Sequence, residues 1–214
     1  MTAMIKHVTT SNDVMRALPS FPVSIANELR PLLEKADIET YKHFLSTMYH
    51  YTYRAEEQLT HARDLCSDPE LFKYFDIMAK EERGHYLLAK KDFEEFGGNV
   101  ETTERPASVK NFQDYWYALG TDNVNEFVGA MYVFENVASA LAREIIDMMK
   151  RLELTKRQSR WLRVHLEADV GHGDEALQMC EKYVGDNPEA MLRAAEYGTE
   201  EWAAVFKYAF SHNG

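Results

Sequence analysis

Apolar residues recur at three- and four-residue steps along almost the whole chain, and no stretch shows a sustained two-residue alternation. That period gathers apolar side chains on one face of an α-helix and does not suit a half-buried strand. Glycine and proline fall mostly between the periodic segments, where they stop helices. The expected fold class is therefore all-α. At 214 residues the chain can bury one sizeable core, and nothing in its length demands a second. A single domain over 1–214 is expected.

Local signals place the boundaries. Short helical pieces are predicted over 11–35, followed by a long helix over 37–66 whose stripe includes Ile38, Tyr41, Leu45, Met48, Thr52, Ala55, Leu59 and Ala62. Asp68-Pro69-Glu70 opens a second helix, with proline at its first position and a carboxylate in its first turn, and Gly97-Gly98 ends it near 96. A polar linker with Pro106 leads to a short helix over 109–119, and Gly120 precedes a long one over 122–152. Thr155 and Gln158 form a capping-box pattern that opens a helix over 156–184, and Asn187-Pro188-Glu189 opens the last. Most connections are short, so neighbours should pack antiparallel in a bundle of about seven helices, with the core bundle over 38–184.

Charge and composition narrow the partners. The net charge is −11, and no face concentrates lysine and arginine as a nucleic-acid binder requires. No run approaches the ~20 apolar residues that span a bilayer, and the opening Met-Thr-Ala-Met-Ile-Lys lacks the apolar core of a secretory signal. A cytoplasmic protein that binds neither nucleic acid nor membrane is expected. Cys66 and Cys180 form no CxxC pair and no disulfide framework, and are read as buried thiols.

Three of the predicted stripes are interrupted by ionisable residues. The last long one runs Gln158, Trp161, Leu162, His165, Asp169, His172, Ala176, Met179 and Tyr183. His165, Asp169 and His172 stand at i, i+4 and i+7 and so stack on one face over two turns. Glu167, Asp174 and Glu175 lie off that line and are read as solvated. The second helix carries Glu82 and His85 between Leu71, Tyr74 and Met78 on one side and Leu88, Ala89 and Phe96 on the other. On the helix over 122–152, Glu135 is the single carboxylate in a stripe of Val124, Val128, Met131, Ala138, Ala142, Ile145 and Met149.

Burying an unpaired carboxylate costs several kcal/mol, and three without compensation would remove most of a domain's roughly 5–15 kcal/mol of stability. No lysine or arginine falls on these stretches, but three histidines do, and imidazole with carboxylate suits iron, manganese or zinc. Six donors suffice for two metals. Three carboxylates leave a pair of divalent ions at a net charge of about +1 with open positions, unlike a closed structural site. The simplest division gives Glu82, His85 and His165 to one metal and Glu135, Asp169 and His172 to the other.

Glu81-Glu82-Arg-Gly-His85, Val133-Phe-Glu135-Asn-Val-Ala-Ser-Ala-Leu141 and His165-Leu-Glu-Ala-Asp169-Val-Gly-His172 together resemble the haem-oxygenase-like diiron oxidases and oxygenases, also called iron-containing redox enzymes. That family's ligand pattern is Glu and His on one helix, Glu on another and His-x3-Asp-x2-His on a third, and all six positions map. His-x3-Asp-x2-His is the specific element. Spacing on the first of these helices varies in the family, so Glu81 rivals Glu82. The resemblance implies a haem-oxygenase-like bundle with a diiron site, two Fe(II) or a manganese–iron pair, and dioxygen as co-substrate. It implies oxidation of an amino acid, amino-acid derivative or fatty acid by N-oxygenation, C–C cleavage or desaturation, with an external electron donor and a homodimer both compatible. Thr52, Tyr53, Met131 and Tyr132 are the residues to inspect for substrate contact.

Two alternatives stand beside this reading. Glu56 or Glu57, Glu82 with His85, Glu135, and Asp169 with His172 imitate the order of a ferritin-like diiron hydroxylase or iron-binding module, although that pattern has no use for His165. A metal-free haem-oxygenase or thiaminase-II-like ligand-binding bundle leaves the three carboxylates unexplained, and neither cysteine has a motif for a nucleophile. His43, His50 and His61 have no such constellation and are read as surface or hydrogen-bonded residues.

Overall fold

A computed structural model describes residues 10–120 and 123–211, with the side chains of 168–170 left out. Among the described residues the structure is helical, with no strand: α1 Ser11–Ala17, α2 Ser20–Lys35, α3 Ile38–Thr52, α4 Ala55–Leu65, α5 Pro69–Glu81, α6 Tyr86–Glu94, α7 Ala107–Ala118, α8 Asn125–Ala140, α9 Ala142–Arg151, α10 Arg160–Tyr183 and α11 Pro188–Ala209. Short 3₁₀ turns lie at Val100–Thr102 and Lys156–Gln158.

The helix starts follow the local signals. The Asp37, Asp68 and Asn187 side chains accept from the first-turn backbone N–H groups of α3, α5 and α11, and Pro69 and Pro188 occupy the first turns of the last two. The capping box of Thr155 and Gln158 is present, but it caps the 3₁₀ turn. The α-helix predicted from 156 therefore begins at Arg160. There Asp92 of α6 accepts from the Trp161 N–H at 2.9 Å and pairs with Arg160 at 3.1 Å. The short helix predicted from 109 starts at Ala107, directly after Pro106.

Three predicted rods are each broken once, because apolar periodicity survives a break of a few residues and does not report it. The rod over 37–66 gives way at Tyr53 and Arg54, just after Thr52 turns its hydroxyl back onto the Met48 carbonyl at 2.8 Å, a bond that competes with the helix ladder. The rod over 69–96 leaves the helix from Glu82 to His85, where Gly84 has φ +82°. Only glycine takes that left-handed conformation without a Cβ penalty, and it ends a helix. The third rod breaks at Leu141, whose N–H is shared between the Val137 and Ala138 carbonyls at 3.0 and 3.2 Å. Its predicted start at Asp122 lies outside the described residues.

Helix α8 lies at the centre, packed against α2, α10 and α11, while α3 packs on α6 and α4 on α5. Residues Phe127 to Val133 of α8 are all buried. A Cβ on Gly129 would stand 2.3 Å from the Met191 carbonyl oxygen, so glycine lets the α8 and α11 backbones approach closely. Around this axis Tyr41, Phe44, Phe75 and Phe127 are fully buried, each worth about 1.5–3 kcal/mol of transfer free energy. The bundle thus brings the α5–α6 break, the middle of α8 and the first half of α10 to one place.

Candidate metal centre

Glu82 and His85 come from the α5–α6 break, Glu135 from α8, and His165 and His172 from α10. Glu82, His85 and His165 each present a donor atom, and the three atoms lie within 4.8 Å of one another, a spacing one metal ion can draw together. His85 Nδ1 is 3.0 Å from Glu82 Oε2, and the His85 and His165 rings meet edge to face with centroids 5.0 Å apart. Beside this triad, His172 bridges two carboxylates, with Nδ1 3.2 Å from Glu135 and Nε2 2.9 Å from Glu81. The side chain of Asp169 lies outside the described residues.

Glu81 and Glu82 thus occupy different places: Glu82 joins the His85–His165 triad, while Glu81, half exposed, reaches His172. Neighbouring residues on a continuous helix diverge by about 100°, but the chain turns at this point. Glu82, His85, Glu135 and His172 have side chains only 12–16% exposed.

His165 is held in one tautomer. Its Nδ1 lies 2.8 Å from the Trp161 carbonyl oxygen, which can only accept, so Nδ1 carries the hydrogen and Nε2 offers a lone pair. Metal-bound histidines are oriented in this way by a second partner. The Trp161 indole stacks on the imidazole at 3.9 Å and 24°. Because Asp92 holds the Trp161 N–H, the start of α10 and the His165 ring are linked through one residue.

The pKa shifts fit opposed charges in a buried space. Burial lowers the pKa of His165 and keeps it neutral. Burial also acts to raise Glu82, but the hydrogen bond with His85 and the neighbouring His165, His85 and His172 together hold it below its ordinary value. Burial pushes Glu135 up, partly offset by His172. The hydrogen bond with Glu135 carries His172 up to about 9.

Glu82, Glu135 and His165 form one end of a cavity of about 140 Å³ that continues between α2, α3, α4, α7, α8 and α11. Thr52 and Met131 line it, as expected of substrate-contact candidates; Tyr53 is 57% exposed, and Tyr132 is buried but not in the wall. Periodicity did not single out five further residues. Trp161 sits one turn before His165 on the same stripe, a spacing that marks it in retrospect. Tyr74, whose buried hydroxyl has no partner among the described residues, lies near Glu135, and burial followed by that carboxylate raises its pKa well above the ordinary value. Trp202 and Phe206 of α11 and Phe210 just after it also line the cavity, beyond the predicted core bundle.

The residues read as bystanders behave as such, except His61, which among the described residues is neither at the surface nor hydrogen-bonded at Nε2. Glu167, Asp174 and Glu175 are exposed. Glu56 pairs with Arg83 at 2.7 Å and Glu57 with Arg54 at 2.5 Å. His43 bonds the Ala209 carbonyl and His50 the Thr103 hydroxyl, while His61 leaves Nε2 buried without a partner among the described residues. Cys180 is buried and Cys66 partly so, and burial pushes both thiols up to about 12.

A family model described as iron-containing redox enzyme matches residues 42–201. The chain belongs to that family. Solved structures similar to this family member share its fold at low identity. A domain of unknown function with a heme oxygenase-like fold from Shewanella denitrificans OS217 superposes with a TM-score of 0.81 at 18% identity, covering 95% of this chain and 93% of that one. A TenA homolog from Pseudomonas syringae pv. tomato DC3000 gives 0.76 at 11% identity, with 94% and 92% covered. A CADD-like protein of unknown function from Nostoc punctiforme PCC 73102 gives 0.69 at 14%, with 94% and 95% covered. No curated protein matches the chain in sequence. This family member therefore has a haem-oxygenase-like all-α fold, and among its described residues no helix is long and apolar enough to cross a membrane.

Proposed function

We propose that this family member is a non-haem diiron oxidase or oxygenase, with Glu82, His85 and His165 holding one iron and Glu135, Asp169 and His172 the other. One observation carries the reading: a Glu–His–His triad and a His172–Glu135 pair reach one largely apolar cavity through Glu82, His165 and Glu135. The donor set fits iron by its chemistry. It combines neutral imidazole with carboxylate and contains no thiolate. His165 already turns a lone pair inward, and cations would relieve the cost of burying Glu82 and Glu135.

Bound iron would supply dioxygen activation and redox chemistry, with electrons from an external donor. The chain's own residues prepare the place. Trp161 fixes the His165 ring from its face and through its carbonyl, so the lone pair keeps its direction. The aromatic walls exclude water and hold the substrate against the donor end. The substrate is a small organic molecule, and the family resemblance points to an amino acid, amino-acid derivative or fatty acid undergoing N-oxygenation, C–C cleavage or desaturation. Mössbauer spectroscopy of the anaerobically Fe(II)-loaded chain tests this. Conversion of paired ferrous signals to coupled ferric ones on exposure to dioxygen supports it, and isolated iron unchanged by dioxygen overturns it.

Of the two alternatives, the ferritin-like one finds no support, since Glu56 and Glu57 are engaged by arginines on the surface and the fold is haem-oxygenase-like. The metal-free bundle is favoured by one observation: TenA homologs share this fold. Against it, neither cysteine lines the cavity and both thiols are held protonated. Purification without iron after anaerobic iron supplementation would establish that alternative.

A further inference from the structure

The cavity leading away from the donor end has walls of one character. Phe44, Phe112, Trp116, Phe134, Trp202 and Phe206 dominate it. Among the described residues no lysine or arginine lines it, and apart from Glu82, Glu135 and His165 the only ionisable side chain there is Tyr51. The Tyr51 hydroxyl accepts from the Trp202 indole N–H at 3.0 Å, and Thr52 is turned onto the Met48 carbonyl.

Gln58 differs from both. It is 4% exposed and lines the cavity, yet no hydrogen bond among the described residues uses its side-chain amide. Its backbone is fixed at both ends, since the N–H donates to the Arg54 carbonyl at 2.9 Å and the carbonyl accepts from the Trp116 indole at 2.7 Å. With the backbone so fixed and the residue buried, the side chain stays within the wall of the cavity. Buried polar groups in native structures are almost always paired, and those left over call for an explanation.

We propose that this cavity selects a compact, uncharged, largely apolar substrate portion carrying one hydrogen-bonding group, and that Gln58 is the specificity-determining residue that pairs with it. The volume sets the size: a cavity of about 150 Å³ accepts benzene, so about 140 Å³ holds one ring or a short alkyl chain. The walls set the charge, because an ammonium or carboxylate among these rings would have no counter-ion. Any ionised end of the substrate belongs at the donor end or outside. The amide sets the orientation, offering two N–H donors and a carbonyl acceptor to a hydroxyl, amide or carbonyl. This deepens the proposed function, since it rests on the cavity being the substrate site.

Calorimetric titration of the full-length, metal-free protein with 2-phenylethanol, ethylbenzene and L-phenylalanine tests the proposal. Both neutral probes should bind, 2-phenylethanol more tightly, and L-phenylalanine, whose charged end must stay at the donor end or outside, should bind more weakly than 2-phenylethanol. Gln58→Leu should weaken 2-phenylethanol about tenfold, the worth of a typical hydrogen bond left unmade, while leaving ethylbenzene within about twofold. Gln58→Met, closer in length, repeats the comparison if the leucine variant folds poorly. Tighter binding of L-phenylalanine than of 2-phenylethanol, equal weakening of both neutral probes, or no binding by any probe overturns the proposal. Iron uptake is measured separately. A chain that loads iron but binds no probe sinks this inference alone, and one that binds the probes but takes no iron sinks the diiron reading alone.

Discussion

Along α10, His165 and His172 ride an unbroken helix and face the site because their separation matches two turns; between α5 and α6 the chain abandons the helix for four residues to bring Glu82 and His85 to the same point. The first arrangement needs only periodicity, which almost any residues between the donors would satisfy. The second depends on Gly84 at φ +82°. Glu81, the last residue of α5, reaches His172, while Glu82, the first residue of the break, joins the His85–His165 triad.

The largest effects should come from removing one donor on each side. On the diiron reading, His165→Ala and His85→Ala should each weaken iron binding beyond the roughly 100-fold upper value seen for outer partners of metal ligands, as read by equilibrium iron titration. Normal affinity in His85→Ala alone would detach the α5–α6 break from the metal site and leave α10 as its sole histidine source. Next in size is the contrast of adjacent carboxylates. Glu82→Gln should remove iron from the triad, whereas Glu81→Gln, whose partner is His172, should weaken binding by about tenfold or less. The reverse ranking would exchange their roles.

Glycine substitutions should show the contrast with opposite signs. Gly84→Ala places a Cβ in the left-handed region and should cost about 1–2 kcal/mol, lowering Tm and loosening iron together. Gly171→Ala, in the middle of α10 with open space where the Cβ would stand, should stabilise by about 0.5–1 kcal/mol. Thermal denaturation of both variants decides it, and a shift of the same sign in both would refute the account of the break.

A pH-dependent effect concerns Asp92, which links α6 to the start of α10. Burial raises its pKa to about 6 against an ordinary 3.8, so between those values the folded state holds a proton that the unfolded chain releases. Stability from this group is thus greatest at low pH and declines as pH rises from about 4 to about 6. Asp92→Asn should remove that decline, so the variant gains on the parent across this window, as denaturant unfolding at the two ends would reveal.

Much of this arrangement was legible from residue order. Asp68-Pro69 and Asn187-Pro188 marked true helix starts because capping is local chemistry, and His165, His172 and Glu135 were visible as ionisable interruptions of apolar stripes. The breaks at Leu141 and Gly84 were not, since a glycine followed by resumed periodicity looks the same whether φ is negative or positive. Gln58 was hidden for another reason. Its burial comes from α7 packing on α4, and Trp116, which binds its carbonyl, lies 58 residues away.

The central claim is that the unbroken and the broken element build one two-iron centre. Anaerobic titration of the purified, full-length chain with Fe(II), followed by metal analysis after removal of free iron, tests it most directly. Two irons per chain, falling to one or none in His165→Ala, is the predicted result; a wild-type chain that retains no iron, or a single iron unaffected by His165→Ala, would contradict it.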